Sequence, residues 1–192
     1  MTRKKTLFLS LFMLLPAAVV TAAPVEYVMD KAHTHIGLTW NHLGFSDFRA
    51  RFRDFDGTLV LDAAAPENSR VEVTIPLDSI DTNVPRLDEH LKSADFFDVA
   101  KYPVATFRST RVERTGEKTA RLHGELTLHG VTRPVALAVR LNKMGEHPLT
   151  HKPSVGFTAE GVVRRSEFGL TAYVPMVSDE VHLFISTEAS VK

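Results

Sequence analysis

Nine histidines and no cysteine set the side-chain chemistry this 192-residue chain has to offer. Without thiols there is no Cys nucleophile, no thiolate-bound zinc and no thioether-attached haem. His33 and His35, in His-Thr-His, have the spacing that puts both rings on one face of a strand. With His42, His90 or His129 they would make a metal site. No acidic residue or third His is tied to them by a recognised spacing, and His-Glu-x-x-His is missing. Surface or cavity-mouth histidines are the plainer reading, and His42 in Asn-His-Leu-Gly reads as a partly buried ring bonded to backbone. Hydrolysis lacks its Gly-x-Ser-x-Gly elbow. Asp88, Glu89 and His90 are consecutive in a helical stretch, so they point apart and cannot form one acid–base pair. Asp47, Asp54, Asp56 and Asp62 fall near strand ends, where Asp serves turns and solvent. No catalytic residue and no resident cofactor or metal follow from these residues, and the chain does not read as an enzyme. Five cationic or polar groups sit at strand or helix ends where a ligand headgroup would be met: Arg86, His90, Lys92, Arg164 and Arg165. Arg binds a phosphate as a fork and Lys as a point charge.

The elements that must carry these groups are strands. Alternating apolar residues run through Ile36, Leu38 and Trp40; Val71, Val73, Ile75 and Leu77; and Leu122, Leu126 and Leu128. The same period continues in Val135, Leu137, Val139 and Leu141, in Val155, Phe157 and Ala159, and in Val181, Leu183 and Ile185. One apolar face per strand is the mark of an antiparallel sheet. His129-Gly130 reads as a two-residue hairpin loop and Glu113–Ala120 as a second hairpin. One stretch, 84–97, is helical: Pro85 suits a first turn, and Leu87 and Leu91 share a face. Ser166–Gly169 reads as a short helical turn, and 144–153 as the longest polar loop.

About eight strands with one helical insertion close most economically into an all-β antiparallel barrel, which leaves no free edge. An eight-stranded barrel is either filled by side chains or holds one small ligand. Twelve Phe, three Tyr and one Trp serve either purpose. Ahead of the barrel, residues 1–22 read as a cleaved signal peptide: a basic start, an apolar run and a small-residue site ending at Ala22 or Ala23. That leaves 23–192 as a single domain of about 170 residues, enough for a sizeable core. Export without disulfides points to a Gram-negative periplasm. Basic and acidic residues balance at 23 each, so no field favours nucleic acid.

Four blocks then resemble a known family. They are NHLGFSDFRARFRDFDGTLVLD, IDTNVPRLDEHLKSADFFDVAKYPVATFRST, GELTLHGVTRPVAL and GFTAEGVVRRSEFGL. Their order and spacing are similar to those of the YceI-like, lipocalin-like polyisoprenoid-binding proteins of bacteria. The chain departs from the usual pattern at Leu87-Asp88, where Arg-Asp is common, and at Ala50, where Gly is common. The resemblance implies an extended lipocalin-like barrel with a capping helix and a long apolar interior that holds an isoprenoid tail. It also implies a periplasmic location and no catalytic centre.

The expected cavity lining is Ile36, Leu38, Trp40, Leu43, Phe45, Phe52, Leu91 and Phe96. It continues with Phe97, Phe107, Leu126, Phe157, Phe168, Leu183 and Ile185, of which Phe168 is placed to close one end. The resulting expectation is a periplasmic carrier for a long-chain isoprenoid lipid, polyprenyl or quinone-like. Its partners would be that lipid and membrane-associated donor or acceptor proteins, and it would be a monomer or homodimer. Two other readings stand beside it. One is a His-dependent metal- or haem-linked redox accessory. The other is a filled barrel acting as a stress or interaction protein with no obligate ligand.

Overall fold

The computed structural model describes residues 23–192, so the expected leader over 1–22 lies outside the described residues. The chain runs through β1 (Val25–Met29), β2 (His35–His42), β3 (Ser46–Phe52), β4 (Asp56–Leu61), β5 (Arg70–Pro76) and β6 (Ile80–Asp81). Helix α1 (Pro85–Lys92) follows, then β7 (Val104–Arg114), β8 (Thr119–Leu128), β9 (Val131–Glu146), β10 (Pro153–Arg164) and β11 (Glu180–Ser190). All ladders are antiparallel.

Eleven segments make eight staves. β1 and β2 pair with different stretches of the same strand: Met29 opposes Ala189, while Ile36 opposes Ile185. β4 lies against β1 and β3 against β2, and β5 and β6 repeat the division one strand further on. Each of β1–β2, β3–β4 and β5–β6 is therefore one bent strand. With β7 to β11 they form a closed eight-stranded barrel, as the alternation predicts. The bends are tied to each other. Lys31 Nζ lies 2.9 Å from both Asp54 and Asp56, and Arg53 N–H donates to the Ser79 carbonyl at 3.0 Å.

The register carries the apolar rows inward. Leu38 opposes Leu183 and Ala50, Phe107 opposes Leu126, and Phe157 opposes Leu141. The fully buried residues do not form one central core. Most of them fall into three separate clusters, around Val135 and Phe168, around Tyr27 and Val155, and around Ala50, Ile80 and Leu91. Ala50 thus packs between strand and helix, 7 % exposed. The rows between the clusters, such as Leu122, Leu126, Phe157 and Ile185, are only half-buried, because space inside the barrel reaches them.

The helix is shorter than the 84–97 its pattern predicts. Ser93 takes extended angles (ψ 172°) and its hydroxyl donates to the His90 carbonyl at 2.7 Å, which ends α1 at Lys92. Phe96 and Phe97 lie in the turns that follow. Asp88 is a structural tie: its carboxylate accepts the Thr82 hydroxyl at 2.6 Å and the Thr82 N–H at 2.8 Å. The His129-Gly130 turn forms as expected, with both residues at positive φ (52° and 74°).

Candidate ligand-binding cavity

Inside the staves runs a cavity of about 1090 Å³. Its wall is made of the inward rows themselves, from Ile36, Leu38 and Trp40 on one side to Leu122, Leu126 and Phe157 on the other. Magnitude decides what such a space is. At the ~24 cal/mol per Å³ that a leftover core cavity costs, it would amount to roughly 26 kcal/mol. A domain's whole stability is only ~5–15 kcal/mol. The space is therefore not a packing defect but a lumen that water or a guest occupies, and the wall is stabilised by packing within and between the staves.

The two ends of the lumen differ. At the α1 end it opens among His42, Leu43, His90, Phe96, Tyr173 and Met176. The aromatic rings there are in mutual contact: His90 meets Phe96 edge-on at 4.9 Å, and Phe96 stacks on Tyr173 at 6.2 Å. The Leu43 N–H donates to the Met176 carbonyl at 3.0 Å, joining the β2–β3 turn to the loop before β11. At the opposite end the inward rows of β7 and β8 run out into Arg114, Glu117 and Lys118, beside Arg70. One mouth is apolar and aromatic, the other charged.

Thirteen of the fifteen expected lining residues do line the lumen. Phe45 and Phe168 do not. Phe45 stands at the tip of the β2–β3 turn, 90 % exposed, because it falls off the inward row of Ser46, Phe48, Ala50 and Phe52. Phe168 is 1 % exposed in a 3₁₀ turn after β10, packed into the wall beside Leu170 and Val135. Of the headgroup candidates, only His90 and Arg165 reach the lumen. Arg86 is exposed at the start of α1, Lys92 pairs with Glu89 at 3.2 Å, and Arg164 faces outward near Glu180 at 3.5 Å.

Arg165 is occupied already. Its guanidinium donates to the carbonyls of Leu170, Ala172, Val177 and Ser178 at 2.8–2.9 Å. It is a staple for the loop leading into β11, and burial pushes its pKa down. Next to it, the Ser166 hydroxyl donates to Asp179 at 2.7 Å. A second internal ion site, Asp81, lies outside the lumen. Arg53 at 2.8 Å, the Asn83 N–H at 3.0 Å and Arg51 at 3.1 Å hold its carboxyl well below the usual carboxylate range.

The histidines separate. His33 lies in the turn before β2, hydrogen-bonded to Asp30 at 2.7 Å, so it shares no strand face with His35. His42 is exposed at the mouth and not partly buried as its sequence context predicts. His129 contacts the Phe168 carbonyl at 3.1 Å and the Tyr102 ring at 4.6 Å. Among the described residues no group of three or more His, Asp or Glu side chains is arranged to hold a metal ion.

A YceI-like domain model matches residues 27–189, which takes in every strand of the barrel but the first two residues of β1 and the last of β11. The chain belongs to the YceI-like family. YceI proteins of Salmonella arizonae and Salmonella paratyphi B are each 42 % identical to it over 170 residues, 88 % of both chains. Among solved structures, BcnA of Burkholderia cenocepacia superposes with a TM-score of 0.76 at 21 % identity, covering 83 % of this chain and 98 % of BcnA. The Campylobacter jejuni YceI protein gives 0.73 at 29 % identity, over 79 % of this chain and 90 % of its own. A polyisoprenoid binding domain from Saccharophagus degradans, implicated in plant cell wall breakdown, gives 0.67 at 16 % identity, over 86 % and 98 %. The barrel fold is thus shared with these structures. What the lumen holds is a matter for its own chemistry.

Alternation does not reveal Tyr173 and Met176 as lining residues. They sit in the irregular 169–179 segment, where no periodicity marks a side chain as facing inward.

Proposed function

We propose that this protein is a carrier that sequesters a long-chain isoprenoid lipid, polyprenyl or quinone-like, inside the barrel. The observation that carries the reading is the continuous apolar lumen of about 1090 Å³, open at the α1 end. An isoprenoid tail has no hydrogen-bonding groups, so it asks only for dry length. Each buried methylene contributes about 0.8 kcal/mol before ordering costs. A tail of several units is held by area alone. A structural neighbour, the polyisoprenoid binding domain of Saccharophagus degradans, supports the same choice of guest.

In this reading the tail extends toward the β7–β8 end, where Arg114 and Lys118 oppose passage of bare hydrocarbon. The headgroup stays at the α1 mouth, within reach of the His90 ring and the Tyr173 hydroxyl. The mechanism is exclusion of water from the tail, with no bond made or broken, so the protein acts by binding and not by catalysis. An N-terminal leader over 1–22 would place the carrier in the periplasm, between two membranes.

Trp40 is the chain's single tryptophan and lines the lumen, which makes it a reporter. Titrating lipid-free protein with a detergent-dispersed long-chain polyprenol will change Trp40 emission saturably. Phe157→Glu, which puts a charge on the wall, will abolish the change while circular dichroism stays that of the barrel. A flat titration of the parent protein, or an equal response from the folded variant, counts against the proposal.

A further inference from the structure

The α1 mouth carries apolar side chains on its outside as well as its inside. Phe45 is 90 % exposed, Met176 62 %, Tyr173 55 % and Leu43 46 %. Leu43, Tyr173 and Met176 also line the lumen, so one apolar surface runs without interruption from the inner wall to solvent. Leu43 occupies the first corner of a turn closed by the Phe45 N–H on the His42 carbonyl at 3.0 Å, with φ of 57° followed by 77° at Gly44. Asn, Asp or Gly suits that corner, and a bulky apolar residue there is strained. Neither folding nor solubility asks for a leucine and a phenylalanine at this tip.

We propose that the α1 mouth docks on the surface of a lipid bilayer, with Phe45 and Met176 entering the interface and Leu43 and Tyr173 bridging it to the lumen. The proposal rests on the carrier reading, because a bilayer is where an isoprenoid guest resides. Size argues against a protein occupant. Four such side chains, fully covered, bury on the order of 600 Å². A stable protein interface needs about 800 Å² per partner. Two projecting loop tips instead match the shallow insertion of an interfacial anchor, in which aromatic rings sit at headgroup depth.

The charges around the tip and α1 balance instead of forming a field of one sign. The negative Asp47 carboxylate accepts from the Asn41 amide, Arg86 is exposed at the start of α1, and Lys92 is paired with Glu89. The docking therefore follows apolar area and works on neutral vesicles. The opposite end supplies a control. Leu149 is 84 % exposed there but does not line the lumen, and that mouth is charged.

The test is flotation of lipid-free protein with phosphatidylcholine vesicles, alongside uptake of a long-chain polyprenol from those vesicles and from detergent. The parent protein and Leu149→Ser float with the vesicles and take polyprenol from both sources. The Phe45→Ser variant, whose side chain does not line the lumen, keeps the parent's melting temperature and loses vesicle binding by about tenfold. It still takes polyprenol from detergent as the parent does. Flotation of Phe45→Ser at the parent's level overturns the proposal. So does a parent protein that stays off vesicles, whether it then proves monomeric or forms dimers that Phe45→Ser lacks. If the parent floats but takes no polyprenol even from detergent, the docking surface stands and the carrier reading fails.

Discussion

At the scale of single residues, the buried charges are structural. Four carbonyls converge on Arg165, so Arg165→Met leaves them without a donor. The expected loss exceeds about 3 kcal/mol, read as a fall of roughly 6–12 °C in melting temperature. Lysine should not rescue it, since a single ammonium cannot fork to carbonyls on both sides. Asp81 makes a pH prediction. Its folded-state pKa is depressed below the ordinary 3.8 by Arg53, the Asn83 N–H and Arg51. The folded state therefore binds fewer protons than the unfolded one in that range. Its contribution is fully present above the ordinary value and is lost as pH falls through the lower folded value. Melting temperature followed from about pH 5 down to about pH 2 should drop more steeply for the parent than for Asp81→Asn. Part of this was legible in the chain. Both arginines read as strand-end groups, and β10 does end at Arg164, opposite Glu180, while Arg165 opens the 3₁₀ turn that follows. Alternation does not say that Arg165 meets carbonyls, because those come from a loop without period.

At the scale of elements, the strands were legible and the segments between them less so. Period-two alternation names the inward rows because closure gives every stave one wet and one lumen-facing side. The same rule explains the two misplaced phenylalanines: Phe45 lies off its strand's inward parity, and Phe168 lies past its strand's end. The helix was found but extended too far, since Phe96 and Phe97 continue its apolar face after Ser93 has already turned the backbone. The β8–β9 turn is the sharpest element-level test. Gly130 sits at φ 74°, and a Cβ there would come within 2.6 Å of the Tyr102 ring. Gly130→Ala should cost about 1–3 kcal/mol through strain and contact together. Chemical denaturation will show it as a lower midpoint with an unchanged slope. An unaltered midpoint would mean that Tyr102 moves aside freely and the turn is not pinned.

At the scale of the whole molecule, the closed ring of eight staves turns many ordinary half-buried residues into one continuous surface. Composition could not distinguish a filled barrel from a hollow one, because the same leucines and phenylalanines serve both. The distinction lies in radius and tilt, and these emerge only when all the ladders close. Three separate buried clusters in the wall, and a lumen between them, are what the filled-barrel alternative lacks. The chemical identity of a bound guest is the direct test of that hollow. Protein expressed from the full 192-residue sequence and purified without a tag or detergent should be extracted with organic solvent and the extract weighed by mass spectrometry. A near-equimolar isoprenoid lipid, missing from the same extract of Phe157→Glu, is the result expected. An extract with no isoprenoid above the level of that variant would contradict the account at its centre.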